Sequence, residues 1–218
     1  MFTFFRYLLI FLFGCSGILF AQTKKEVYSK NIPYSDEDVG VIFPAQISSF
    51  SKTEVRKKNN PMYGTVIRYA GNLGGCSADI YLYSLKMEPA LISAKEFEEH
   101  AYEVAAKNIM RLPTLSPTLE AVEELAHFDL FVNDKKTGLR KTFHFTISGG
   151  DYISEMVLFP CYARIIKLRL SYPEGLVSAG KDAEEFIKQI TSLFFQKKKV
   201  DFRKSAESAL PIEEKKSK

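Results

Sequence analysis

Three cysteines, three histidines and no tryptophan in 218 residues leave little material for several kinds of chemistry. So few cysteines exclude a disulfide-dense scaffold, and the lack of a sustained repeat excludes a solenoid. His100, His127 and His144 are far apart in the chain and none stands in an HExxH or HxH spacing, so no metal site is assigned. Glu96, His100 and Glu103 share helical spacing, which fits paired charges on a solvated face. There is no GxSxG nucleophile elbow, and Gly71-Asn-Leu-Gly74-Gly75 lacks the Lys-Ser/Thr ending of a phosphate loop. The acid pairs Glu98-Glu99, Glu123-Glu124 and Glu184-Glu185, read as helical neighbours, diverge by about 100° and cannot face one substrate together. No catalytic residue and no cofactor is therefore assigned.

What is present is an ordinary globular composition, 46% hydrophobic and 26% charged, behind an unusual start. Arg6 precedes an apolar run from Tyr7 to Phe20, which ends at Ala21 before Gln22-Thr-Lys-Lys. A span needs about 20 apolar residues, and this shorter run with a small residue at its end has the layout of a secretory signal peptide, residues 1–21. Leu12-Phe13-Gly14-Cys15 also has the outline of a lipobox, so lipidation at Cys15 is the alternative, in which the chain is a membrane-anchored lipoprotein. Either way the expected location is exported, periplasmic or secreted. Removing residues 1–21 takes away one basic group, Arg6, and lowers the formal charge from +4 to +3. From Lys197 onward eight Lys/Arg face four Asp/Glu, so the basic character sits in the tail and residues 22–196 are close to neutral. The pI of 8.8 thus gives no reason to expect nucleic acid as a partner.

Along the chain, residues 22–38 read as a polar leader loop, and Val39-Gly-Val-Ile-Phe43 as a strand stopped by Pro44. Tyr63–Tyr69 and Ser77–Lys86 read as an antiparallel hairpin around a glycine-rich loop, because the connection is too short for a crossover. Ser93-Ala-Lys-Glu96 is a capping box, and Phe97, Ala101, Val104, Ala105, Asn108 and Leu112 recur at helical spacing up to Pro113. Glu120–Ala126 fits a helical turn or a strand, whereas Ala126–Val132 alternates as a strand. Three further strands are expected at Leu139–Ser148, Tyr152–Phe159 and Tyr162–Tyr172. Asp182–Gln196 is an amphipathic helix, followed by a charged tail, 197–218, with too little apolar content to order itself. Together these elements predict one α+β domain over 39–196, a mainly antiparallel sheet packed by two amphipathic helices.

Gly40-Val-Ile-Phe-Pro44 before a hairpin, a mid-chain helix, and Ile165-Ile-Lys-Leu-Arg-Leu-Ser-Tyr-Pro173 before a terminal helix resemble the PsbP-like superfamily of α/β sandwiches. The resemblance covers Val39 to Gln196 and implies a PsbP-like fold. Members of that superfamily are more often accessory or binding proteins than enzymes. No ligand or partner residue of the family is matched here.

Two site expectations follow from the residues. Cys76 and Cys161 are the two cysteines left after cleavage, each beside a strand end, and are expected to form a disulfide worth roughly 4 kcal/mol. Alternation puts Arg140, Thr142, His144 and Thr146 on one face of their strand, and Lys167, Arg169 and Ser171 on one face of theirs. If the faces coincide, Arg140, His144, Lys167 and Arg169 make a cationic seat for a small carboxylate or phosphate ligand. Tyr63, Tyr69, Tyr81 and Tyr83 around Arg68 are read as cross-strand packing rather than as a stacking platform. The function expected is that of an exported, noncatalytic envelope accessory or binding protein, whose partner is another envelope protein or a small anionic ligand. The alternatives are a scaffold anchored through Cys15, or an enzyme whose site is assembled from isolated residues.

Overall fold

The computed structural model describes residues 31–37, 39–57, 64–84, 102, 104–115, 118–161, 164–196 and 198–204. The signal peptide, Cys15, Tyr63, the capping box at Ser93, the first half of the mid-chain helix and residues 205–218 lie outside the described residues.

The chain folds as the expected α+β protein. Strands β1 (Tyr34–Asp36) and β2 (Val41–Phe43) form a small antiparallel pair. The main sheet has nine strands, β3 (Gln46–Ile47), β4 (Phe50–Lys57), β5 (Thr65–Gly71), β6 (Ser77–Ser84), β7 (Leu119–Val132), β8 (Lys135–Ile147), β9 (Gly150–Cys161), β10 (Arg164–Pro173) and β11 (Val200–Lys204). Their spatial order is β11-β7-β8-β9-β10-β6-β5-β4-β3, with antiparallel pairing throughout. The β6-to-β7 connection carries the helical residues 104–110 and a short helix (Leu112–Leu115), so β10 returns to lie beside β6.

Each face of the sheet has its own core. A C-terminal helix (Val177–Phe194) buries Ala179, Ala183, Phe186, Ile187 and Ile190, a stripe at three- and four-residue spacing. Phe186 lies 4.7 Å from the Phe50 ring and 5.3 Å from Tyr69, above a floor that includes Ile67, Ile80, Val157 and Leu168. On the opposite face Ala105 and Ile109 pack with Phe143, Phe145, Met156, Leu158 and Ile165.

Three expectations need correction, and one left open is decided. Residues 34–36 of the supposed leader loop form β1, because Asp36 accepts the Val39 amide at 3.2 Å and the Tyr34 hydroxyl at 3.1 Å, closing a tight turn. Residues 120–126, which fitted either a helical turn or a strand, are strand; register shifts at Leu119/Ala121 and Glu124/Ala126 break the period-two pattern that would have decided it. Asn133-Asp134, with φ angles of 50° and 63°, form a two-residue hairpin turn, so β8 starts at Lys135, ahead of the Leu139 expected for it. Finally, the expected disordered tail begins too early, since Val200–Lys204 pairs with β7 from Val200↔Val132 to Lys204↔Phe128. Val200 and Phe202 supply the apolar contacts that composition averaged over the whole tail concealed.

The expected disulfide does not form: Cys76 and Cys161 are both free thiols. Topology gives the reason. Cys161 pairs with Arg164 on β10, while Cys76 precedes Ser77, which pairs with Ser171. Seven residues of strand separate these levels, about 23 Å at about 3.3 Å per residue, against the 7 Å limit for Cα atoms of a disulfide. Burial also pushes the Cys76 thiol up to about 11, with Asp182 adding to the effect.

Candidate functional site

The four basic residues expected to share a seat are split by register. Arg140 pairs with Val157, and Val157 with Leu168, whereas Arg169 pairs with Met156, and Met156 with Lys141. Directly paired residues point to the same side of a sheet, so Arg140 and His144 lie on the C-terminal helix's face and Lys167 and Arg169 on the other. The pairing of β9 with β10 runs unbroken from Arg164↔Cys161 to Pro173↔Tyr152, leaving no bulge to reunite them.

Arg140 is a brace rather than a ligand contact. Its Nε donates to Glu155 at 3.0 Å and its Nη1 to Glu184 on the C-terminal helix at 2.7 Å, while Thr142 donates to the same Glu155 oxygen at 3.0 Å. Phe128 and Phe202 flank the guanidinium, their centroids 5.8 and 5.5 Å away. Burial works against its charge, but the hydrogen bond and charge of Glu155, joined by Glu184, outweigh that and raise its pKa. His144 lies further along the same face, its Nε2 3.5 Å from Asp151 and 3.2 Å from Glu174.

Lys167 and Arg169 meet a different set of groups, because β10 pairs with β6 as Lys167↔Tyr81 and Arg169↔Asp79. Tyr81 and Tyr83 stack at 5.8 Å with 7° between their planes, and the Lys167 ammonium stands 5.5 Å from the centre of Tyr81. Arg169 lies 5.3 Å from the Phe145 ring. Asp79 is held by two bonds from Arg68, Nε at 2.7 Å and Nη2 at 3.1 Å, and accepts the Tyr81 hydroxyl at 3.3 Å. Asp79 and Arg169 are buried at the floor, whereas Arg68, Tyr81, Tyr83 and Lys167 are half-buried. With Asp79 occupied by Arg68, no carboxylate forms an ion pair with Lys167 among the described residues.

Burial raises the pKa of both tyrosine hydroxyls, keeping them neutral donors, and lowers that of Arg169. Burial, and then the neighbouring Arg169, pushes Lys167 down from 10.5 to about 8. Such a set, cations partly stripped of water beside flat aromatic faces, can accept an anionic group and stack its planar part. Half of it was visible as alternation, Tyr81 and Tyr83 on one strand, Lys167 and Arg169 on another. Asp79 and the meeting of the two strands were not, because β6 and β10 are distant in sequence.

A pH-dependent consequence follows. At pH 8 about half of the Lys167 side chains should be neutral amine, against well under a hundredth of an ordinary lysine with a pKa near 10.4. Limiting acetylation at pH 8, read by peptide mass spectrometry, should therefore modify Lys167 ahead of the exposed lysines despite its partial burial. Between about pH 8 and 10.4 the unfolded chain holds a proton here that the folded chain has released, so this group's contribution to stability rises with pH in that window. Labelling of Lys167 no faster than of exposed Lys181 would show that its ammonium is fully solvated.

No protein-family model and no curated protein matches the chain. Among solved structures it is similar to PA94, a protein of unknown function from Pseudomonas aeruginosa, at 10% sequence identity and a TM-score of 0.37, over 73% of this chain and 92% of that one. What fold and site define together is an α+β protein with a long antiparallel sheet and a cationic, aromatic cluster on the side away from its C-terminal helix.

Proposed function

We propose that the chain is an exported, noncatalytic binding protein of PsbP-like sandwich type, which holds a small anionic ligand between Lys167, Arg169 and the Tyr81–Tyr83 stack. The observation that carries this reading is the pairing of β6 with β10, which sets two basic side chains beside two parallel rings and leaves the Lys167 ammonium with no ion-pair partner among the described residues. The layout of residues 1–21 supports export, and the absence of a nucleophile-base motif supports binding over catalysis.

Benzoate offers a carboxylate and a ring in one probe, with acetate as the charge-only control. Titrating benzoate should give saturable shifts of the Tyr81 and Tyr83 ring resonances, at concentrations where acetate gives none, and Lys167→Met should abolish them. Equal responses to acetate and benzoate, or no response to either, would reduce the cluster to a packing role. Export is tested separately by the intact mass of protein expressed with its leader. A species beginning at Gln22 supports the reading, an acylated species beginning at Cys15 makes the chain a lipoprotein, and an uncleaved cytosolic chain overturns export.

A further inference from the structure

On the other face of the sheet, three potential metal ligands meet at one corner. His144 lies near the end of β8, Asp151 near the start of β9, and Glu174 immediately after β10. Their convergence follows from register: His144 and Tyr172 both pair with Ile153 from opposite sides, and Glu174 and Asp151 stand two residues beyond Tyr172 and Ile153 in the same direction along the sheet. The Glu174 amide donates to the Asp151 carbonyl at 2.9 Å, which fastens the two carboxylate-bearing residues together.

The spacing of the donor atoms suits a shared cation. Ligand bonds of about 2.1 Å place neighbouring donors about 3.0 Å apart at octahedral angles and about 3.4 Å apart at tetrahedral ones. His144 Nε2 lies 3.2 Å from Glu174 Oε2 and 3.5 Å from Asp151 Oδ1, and one donor atom from each of the three falls within 4.8 Å of the others.

Charge is the second, independent observation. Glu123 pairs directly with His144 across β7 and β8, so a third carboxylate shares this side of the sheet. Four other carboxylates on the sheet have basic partners: Asp79 has Arg68, Glu124 has Lys141, Asp129 has Lys136 and Glu155 has Arg140. Among the described residues no lysine or arginine pairs with Asp151, Glu174 or Glu123. One imidazole thus stands against three carboxylates, an excess of negative charge that a divalent ion would offset.

We propose that His144, Asp151 and Glu174 bind a divalent transition-metal ion, tying the β8–β9 turn to the corner that leads into the C-terminal helix. A mixed nitrogen and oxygen donor set favours ions of the zinc and cobalt kind over calcium, which prefers oxygen alone. Side-chain exposures of 49% for Asp151 and Glu174 leave water free to fill the remaining positions. The site lies on the opposite face from the Lys167 cluster and does not depend on it.

The test uses the purified chain, stripped with EDTA and titrated with Zn²⁺ by calorimetry, and with Co²⁺ followed by visible absorption. One equivalent should bind with micromolar affinity, and His144→Ala and Glu174→Gln should each weaken binding at least tenfold, while His100→Ala should leave it unchanged. Mn²⁺ should selectively broaden the resonances of residues around 144, 151 and 174, a readout that needs no variant to fold. Wild-type affinity in both His144→Ala and Glu174→Gln, competition by Ca²⁺ at equal concentration, or broadening centred elsewhere would each overturn the site.

Discussion

Arg140→Ala should lower the unfolding free energy by about 3–5 kcal/mol, the range for removing one partner of a buried ion pair. The loss would come from what stays behind more than from the missing bonds. Glu155 is only 3% exposed, and its charge is answered by Arg140 at 3.0 Å and by the Thr142 hydroxyl. Without the guanidinium that carboxylate would be buried with one neutral donor, and Phe128 and Phe202 would lose the group packed between them. The Glu184 arm should matter less, because that side chain is 57% exposed and an exposed pair contributes about 0–1 kcal/mol. Chemical denaturation should therefore rank the variants clearly, with Glu184→Gln nearly silent and Arg140→Ala severe. Adding Glu155→Gln to Arg140→Ala should recover part of the loss by removing the stranded charge. If Arg140→Ala cost under 1 kcal/mol, the contact would be a surface ornament and Arg140 would be available for ligand binding after all.

The same residue shows how far sequence reasoning reached. Alternation placed Arg140 with His144, and Lys167 with Arg169, and both groupings hold within their own strands. Deciding whether two such groups face each other requires the relative register of three strands, and each pairing contributes a parity that no single strand carries. Short hairpins such as β8–β9 announce their neighbours, so the antiparallel character of the sheet was legible. The β6–β10 pairing was not, because 86 positions separate Lys167 from Tyr81 and 90 separate Arg169 from Asp79, with helical residues between. It is that pairing which converts tyrosines expected to serve as packing into the wall of a cationic cluster. The His144 corner escaped for a similar reason. Asp151 stands at the start of β9 and Glu174 just past β10, far apart in the chain, and His144 had no metal-binding spacing to either.

A second large effect is expected at the sheet's edge: a chain ending at Lys199 should melt about 5–10 °C below one ending at Lys204. Composition alone argues for no difference, since the segment between is Val200-Asp-Phe-Arg-Lys204, with three of its five residues charged. Its pairing argues otherwise. The Asn133 amide donates to the Lys199 carbonyl at 2.9 Å, and the Lys199 amide donates to Asn133 Oδ1 at 2.9 Å, fixing where β11 starts. Phe202 then pairs with Leu130 and flanks Arg140, while the Arg203 guanidinium lies 4.3 Å from the Phe131 ring on the outer side. Val200 and Phe202 are half-buried, so losing both should remove about 2–3 kcal/mol of apolar burial. In a domain of this size each kcal/mol moves the melting temperature by about 2–4 °C. Truncation would also uncover Phe128–Val132 of β7 as an unpaired apolar edge, so the shorter chain should become prone to aggregation at high concentration. Phe202→Ser in the longer chain separates packing from length, and it should reproduce more than half of the drop while preserving the edge pairing. Melting of the two truncated chains within about 2 °C of each other would mean that β11 adds pairing without stability, and that the domain ends with the C-terminal helix.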